Sequence, residues 1–220
     1  MLTFYHTPLS INSRRVWVAL LEKNLPFEAI VMDLGGDQLQ PEFLSLNPFH
    51  HIPVLVDDGL SVIESFAILD YLEAKYPTPS LLATTPEGVA TMRMVEMVTV
   101  NELVPTINPL TKQMMGFSQE SEDAIAQAKQ KAEVVLKFYA DKLGNGPFFC
   151  GEQLTLADVV AGTFAPWFEP LGLPMANYPT LQAWTDRLMS RHAWATTQPS
   201  PEDLTAFRDR MKQRMAAQGQ

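Results

Sequence analysis

Cysteine is almost absent from this chain of 220 residues: Cys150 is the single one. It excludes an internal disulfide framework and a cysteine-rich metal site, and it suits a reducing compartment. Basic side chains are also few. Lys and Arg number 16 against 25 Asp and Glu, a net charge of −9, so no global positive field exists for nucleic acid or anionic lipid. Long apolar runs are missing as well, with nothing near the ~20 residues that span a bilayer. The opening MLTFYHTPLS has no basic n-region or apolar h-region and carries Pro8, which predicts no secretory leader there. A cytoplasmic protein is expected.

What is present is a core. Apolar side chains make up 46% of the chain, too many for disorder and enough for one large domain or two small ones. The acidity is uneven: residues 1–80 carry 4 basic and 10 acidic side chains, net −6, whereas residues 201–220 carry 4 and 3, net +1. A small anionic partner must therefore be held by local donors.

The first eighty residues mix short extended runs with helical periods. Residues 2–5 and 27–32 read as strands, and Val16, Ala19, Leu20 and Lys23 recur at helical spacing between them. The two strands are expected to be parallel across this crossover. Pro41 opens a short helix through Leu46, and Asp57-Asp58-Gly59 joins two further strands as a hairpin. Ile68, Leu69 and Leu72 then share a face of a third helix. The order βαβ, short helix, ββα predicts a small mixed sheet covered by helices.

Residues 77–86 (PTPSLLATTP) have three prolines and no period and read as a linker. Beyond it the pattern is helical, with interruptions near Pro105, Pro109 and Gly116 and a stop at Gly144-Asn145-Gly146. Thr155-Leu-Ala-Asp158 resembles a capping box, and Pro179 opens another helix through Ser190. The expected domains are 1–78 and 87–220, with 79–86 between them.

Four segments of the first half could carry chemistry. Ser10 stands between a strand and a helix start, where free amides and the helix dipole favour an anion or thiolate; plain capping by Ser10 or Ser13 is the ordinary alternative. Ile52-Pro53 enters a strand. A cis bond there would turn the Ile52 amide and carbonyl toward an extended ligand, and a trans loop is the alternative. Glu64-Ser65 opens the third helix, with Ser65 either a carboxylate donor or a cap. Gln38 and Gln40 are neutral donors. His50 and His51 are neighbours whose side chains diverge, with no second His or Cys pair, so zinc is not expected.

These segments carry a family resemblance. TPLSINSRRVWVALLEKNLPFE, NPFHHIPVL, DDGLSVIESFAILDYLEAKYP and GEQLTLADVVAG, in this order and spacing, resemble the cytosolic glutathione S-transferases. The closest likeness is to the serine-type, phi-like members or a related bacterial or cyanobacterial class. The resemblance implies an α/β thioredoxin-like N-terminal domain, an all-α C-terminal domain and a homodimer. It implies an enzyme that uses glutathione as co-substrate, with no metal or nucleotide, on small apolar electrophiles.

Residue by residue, the resemblance assigns Ser10 to the thiol, with Ser13 one turn away as fallback; on electrostatic grounds Arg14 or Arg15 would add positive charge there. At least one of these arginines is expected on a solvated face or paired with Glu22 or Asp33. Ile52, followed by Pro53, matches the backbone partner of the cysteinyl unit, and Glu64 and Ser65 match the γ-glutamyl site. His51 and Gln38 fall where phi-like members place Gln and His, and both would face the glycine carboxylate. The electrophile pocket is expected between the domains, lined by Met114, Met115, Phe117 and Trp167, with Phe168 adding aromatic wall. Core packing is the ordinary alternative for each. Met92, Met94 and Met97 are assigned to core or dimer interface, Asp158 to capping, and Cys150 to a buried site. Two further readings stay open: a glutathione-dependent isomerase or dehalogenase, and a non-catalytic binding or scaffold protein of the same fold.

Overall fold

In chain order the first elements are β1 (Leu2–His6), α1 (Ile11–Glu22), β2 (Phe27–Val31), α2 (Pro41–Leu46), β3 (Val54–Asp57), β4 (Leu60–Ile63) and α3 (Ser65–Lys75). They are followed by α4 (Pro86–Val98), α5 (Val104–Met115), α6 (Glu122–Leu143), α7 (Leu156–Gly162), α8 (Pro179–Met189), α9 (His192–Thr197) and α10 (Pro201–Gln218). This computed structural model describes residues 1–218, with side chains through Lys212. The chain divides into two units, one of Met1–Leu82 with Arg191–Pro199, the other of the remaining helices.

The first unit is built on a four-stranded sheet of order β2-β1-β3-β4. β1 and β2 are parallel, as a helical crossover requires, and the other pairs are antiparallel. The β3–β4 hairpin turns through Asp58 and Gly59, both at positive φ (48° and 86°), the conformation a two-residue turn of this hand demands. Leu2 and Phe4 of β1 alternate inward, and α1 and α3 bury Val16, Val18, Leu20, Ile68, Leu69 and Leu72 completely or nearly so. At the far end of α1, Lys23 is buried and donates to Glu73 Oε1 (2.7 Å) and to the Pro79 carbonyl (2.7 Å). Glu73 also accepts from Ser80 Oγ and the Leu81 amide. The expected linker is thus partly anchored to α3, and the first unit runs on to Leu82 rather than ending at 78.

A second departure concerns α9. The expected helical domain of 87–220 does not hold Arg191–Pro199, which packs with the first unit. Arg191 pairs bidentately with Glu22, and Arg14 reaches Thr197 and the Trp194 carbonyl. Neither contact has a local signal in the sequence.

His6, the last residue of β1, is enclosed (1% exposed), stacked on Phe4 at 4.7 Å and edge-on to Trp17 at 4.6 Å. Burial lowers its pKa from 6.5 to about 4. Below pH 6.5 the unfolded chain gains a proton that the folded one refuses until about pH 4, so stability should fall across that window. His6→Phe should remove roughly 1–2 kcal/mol of this acid loss by pH 5, read from denaturant melts at pH 7 and 5. An unchanged slope would contradict this state of His6.

In the second unit α4 passes through a π-helical turn, Thr99–Leu103, into α5. Thr99 Oγ lies 2.6 Å from the Tyr139 hydroxyl and donates to the Val95 carbonyl. The break expected near Pro109 is absent: Pro105 sits in the first turn of α5, Pro109 lies inside it, and the helix ends only at Gly116 (φ 73°). Gly144 stops α6, and Thr155 and Asp158 form the expected capping box on α7. Asp158 is fully buried and accepts from four donors: the Thr155 amide (2.9 Å) and hydroxyl (3.1 Å), the Phe149 amide (3.1 Å) and Trp184 Nε1 (3.0 Å). Cys150 is half-buried rather than buried; its thiol points at the Gly88 carbonyl, and burial pushes its pKa up, which makes it a poor nucleophile. Met92 is core at 1% exposed, while Met94 and Met97 stand out at 40% and 44%. No described helix is long and apolar enough to cross a membrane.

Candidate active site

Strand register brings the candidate segments to one place. Tyr5 of β1 pairs with Val54 at the start of β3, and Val54 pairs with Ile63 at the end of β4. At the end of β2 the Met32 amide donates to the His6 carbonyl at 2.7 Å. Residues 7–10, 33–40, 51–53 and 64–65 therefore all leave or enter the sheet at the same end.

Ser10 is the N-cap of α1 (φ −81°, ψ 115°), and its Oγ accepts from the Ser13 amide at 3.2 Å. Capping and thiol chemistry are compatible here. The cap consumes an acceptor lone pair of Oγ and leaves the hydroxyl proton to donate. The first turn of α1 holds no acidic residue, so the dipole is not cancelled. Ser13 is different: it is fully buried, and its Oγ has no hydrogen-bond partner among the described residues.

Neither arginine lies on a solvated face; Arg14 and Arg15 are 1% and 2% exposed. The expected partner Glu22 is taken by Arg191. Burial draws the Arg14 guanidinium down to about 10, still a cation at neutral pH. The Arg15 guanidinium lies over the Phe66 ring at 5.0 Å, linking the first turns of α1 and α3.

Ile52–Pro53 is cis. Pro53 is buried, and Ile52 packs against the cluster of Met32, Phe43 and Val54. The loop before it is organised by Asn47, a residue the sequence reading passed over. Asn47 is buried, donates through Nδ2 to the His51 carbonyl (2.8 Å) and accepts from the Phe49 amide (3.0 Å). The signal was available, because Asn before Pro favours such a turn. His50 and His51 are exposed with rings 5.4 Å apart. Gln38 Nε2 donates to the Leu34 carbonyl at 3.0 Å, while Gln40 caps α2 without a side-chain bond.

At α3 the expected cap moves by one residue. Glu64 is the N-cap, with φ 66° and ψ 118°, and it makes no side-chain cap bond. Left-handed backbone at a non-glycine residue costs of order 1–3 kcal/mol and gathers at functional sites. Ser65 is consequently the first helical residue, 6% exposed, at an N-terminus whose first turn also lacks acidic side chains. Two helix N-termini, one capped by Ser10 and the other with Ser65 as its first helical residue, thus start from the same end of one sheet, and helix N-termini favour anions.

In the second unit Met114 and Met115 are half-buried at the end of α5, and Phe117 meets Phe207 of α10 edge-on at 6.0 Å. Trp167 is half-buried with Nε1 enclosed and without a partner among the described residues. Phe168 is completely buried, so it belongs to the core and not to an aromatic wall. Among the described residues no group of three or more His, Cys, Asp or Glu side chains could hold a metal ion.

This arrangement of a βαβ–ββα sheet domain and a helical unit defines a class that comparison with known proteins makes specific. Residues 4–80 match the glutathione S-transferase N-terminal domain, and residues 102–192 match its C-terminal domain. Glutathione S-transferase F10 of Arabidopsis thaliana is 34% identical over 205 residues, covering 88% of this chain and 94% of the relative. A maleylacetoacetate isomerase of Rattus norvegicus is 28% identical over 193 residues, covering 85% and 87%. The solved structure of a glutathione transferase homologue from Sulfitobacter with bound glutathione is similar at a TM-score of 0.73 and 27% identity, over 90% of this chain and 97% of that one. The chain belongs to the glutathione S-transferase family.

Proposed function

We propose that the protein is a glutathione transferase that stabilises the glutathione thiolate for attack on small apolar electrophiles. The observation that carries this reading is the convergence of Ser10, Ile52-Pro53 and Glu64-Ser65 at one end of the sheet, beside two N-termini free of first-turn acids. A free thiol has a pKa of ~8.5, so little thiolate exists at neutral pH. The Ser10 hydroxyl donates to the sulfur, and the positive end of α1, with Arg15 behind it, favours the anion. The thiolate lone pair then forms the carbon–sulfur bond while the electrophile's displaced electron pair leaves with its own group. Glutathione is held by the Ile52 backbone at the cysteinyl unit, by Glu64 and Ser65 at the γ-glutamyl end, and by His51 and Gln38 at the glycine carboxylate. Ser10 is half-buried whereas Ser13 is fully buried, which favours Ser10 over Ser13. Met114, Met115, Phe117 and Trp167 supply the electrophile's apolar walls. The exposed apolar side chains of Phe49 (59%), Met94 (40%) and Met97 (44%) support a homodimer, and the single cysteine supports a cytoplasmic setting.

Ser65→Ala tests the binding half of this reading. It should weaken glutathione about tenfold, the value of a hydrogen bond to a charged group, while leaving the bound thiol's titration unchanged. Calorimetric titration of glutathione into both proteins reads this, and unchanged affinity would contradict the assignment. The likeness to a maleylacetoacetate isomerase supports a second reading, in which the thiolate adds to the substrate and then leaves. Consumption of glutathione during turnover distinguishes conjugation from isomerisation, which returns it.

A further inference from the structure

α1 and α9 run antiparallel and are fastened to each other at both ends by arginines. At the N-terminal end of α1, Arg14 Nε donates to Thr197 Oγ1 (3.3 Å) and Nη2 to the Trp194 carbonyl (3.5 Å). At the C-terminal end Arg191, the N-cap of α9, donates to both oxygens of Glu22. The first of these contacts is fully enclosed: Arg14 and Thr197 are each 1% exposed and Trp194 is 0%. Arg14 is also the residue whose amide closes the first turn of α1, donating to the Ser10 carbonyl at 2.8 Å. Its backbone thus holds Ser10, and its side chain holds the turn against a segment more than 180 residues later in the chain.

We infer that Arg14 is a positioning residue for the thiol, fixing the first turn of α1, and with it the Ser10 hydroxyl, against Thr197 and Trp194 of α9. This rests on the role of Ser10 proposed above. A hydroxyl stabilises a thiolate in proportion to how well it is already aimed, since a donor that must reorganise on charge formation returns part of the gain. A helix N-terminal turn is also the part of a helix that frays, its first amides lacking intrahelical partners. The clamp falls on this turn, whereas the Glu22–Arg191 pair lies at the opposite end of a 12-residue helix, about 1.5 Å per residue away. Loss of the near clamp should act on the thiol; loss of the far one should act on stability alone.

The test is ultraviolet titration of the bound glutathione thiol in wild type, Arg14→Lys, Thr197→Val, Thr197→Ser and Glu22→Gln. Lys keeps the charge and loses the two-point geometry. Thr197→Val removes the acceptor while preserving shape, and Ser restores it. The bound thiol pKa should rise by about one unit in Arg14→Lys, tenfold less thiolate below the pKa, and by about half a unit, roughly threefold, in Thr197→Val. Thr197→Ser and Glu22→Gln should titrate as wild type, Glu22→Gln melting at lower temperature. If Arg14→Lys does not fold, Thr197→Val against Thr197→Ser decides alone. A wild-type pKa in folded Thr197→Val overturns the inference, as does an equal shift in Glu22→Gln. A wild-type thiol that titrates like free glutathione overturns the proposed function and this inference with it.

Discussion

Replacing Ser10 by Ala should lower kcat for conjugation about 100-fold at neutral pH, with the KM for glutathione little changed. The hydroxyl is the donor proposed to face the sulfur, and losing one preorganised donor to a developing or resident anion costs about 10²–10³ in rate. Two contributions must be separated, because Ser10 also caps α1 through the Ser13 amide. Loss of an N-cap to Ala destabilises by about 1 kcal/mol, whereas Gly at the same position costs only a few tenths. Ser10→Gly should therefore fold almost as well as wild type and still lose the rate. Full activity in Ser10→Gly would assign Ser10 to capping alone. Ser13→Ala should leave the rate near wild type, since its Oγ is enclosed.

Asp158→Ala should destabilise the fold by about 3–5 kcal/mol, because it leaves four inward-pointing donors on Thr155, Phe149 and Trp184 without an acceptor. For a chain of this size that corresponds to a fall in melting temperature of roughly 10 °C. Asp158→Asn keeps the shape and one acceptor oxygen and should lose less. Burial holds the Asp158 carboxyl up at about 6 against its usual 3.8, an effect the four donors only partly oppose. As the pH falls from 7 to 5 the folded state gains a proton before the unfolded one does, so Asp158 then contributes more to stability. The gap between wild type and Asp158→Asn should accordingly widen toward pH 5, and a gap that narrows would contradict the raised value. A melting temperature for Asp158→Ala within 2–3 °C of wild type would contradict the network itself.

What could be read in the sequence was local. The β3–β4 hairpin was legible because Asp58-Gly59 is a two-residue turn with the φ preferences of its type. The capping box was legible because Thr155 and Asp158 stand three apart. The end of α6 was marked by Gly144 for the same kind of reason. The misplaced features depend on distant partners. At least one of Arg14 and Arg15 reads as solvated or locally paired, yet tertiary packing buries both, and the residue that takes Glu22 lies 169 positions away. Pro109 reads as a break, but the helix accommodates it and ends at the glycine instead.

At the site, Ser10, Ile52-Pro53 and Glu64-Ser65 stood out by residue type and by their positions at element starts. Their common location follows from strand register, Tyr5 with Val54 and Val54 with Ile63, which no single segment contains. Ser65 reads as a possible cap, whereas in the structure Glu64, at positive φ, is the cap and the serine lies inside the helix. Asn47 does not stand out in this way, because its hydrogen bonds are made within its own loop and not toward a ligand.

The site is proposed to stabilise a thiolate that it does not itself supply. Ultraviolet titration of glutathione bound to the wild-type protein tests it most directly. The expected thiol pKa is at least one unit below the ~8.5 of a free thiol. A bound thiol that titrates at ~8.5, or a protein that fails to bind glutathione, would contradict it.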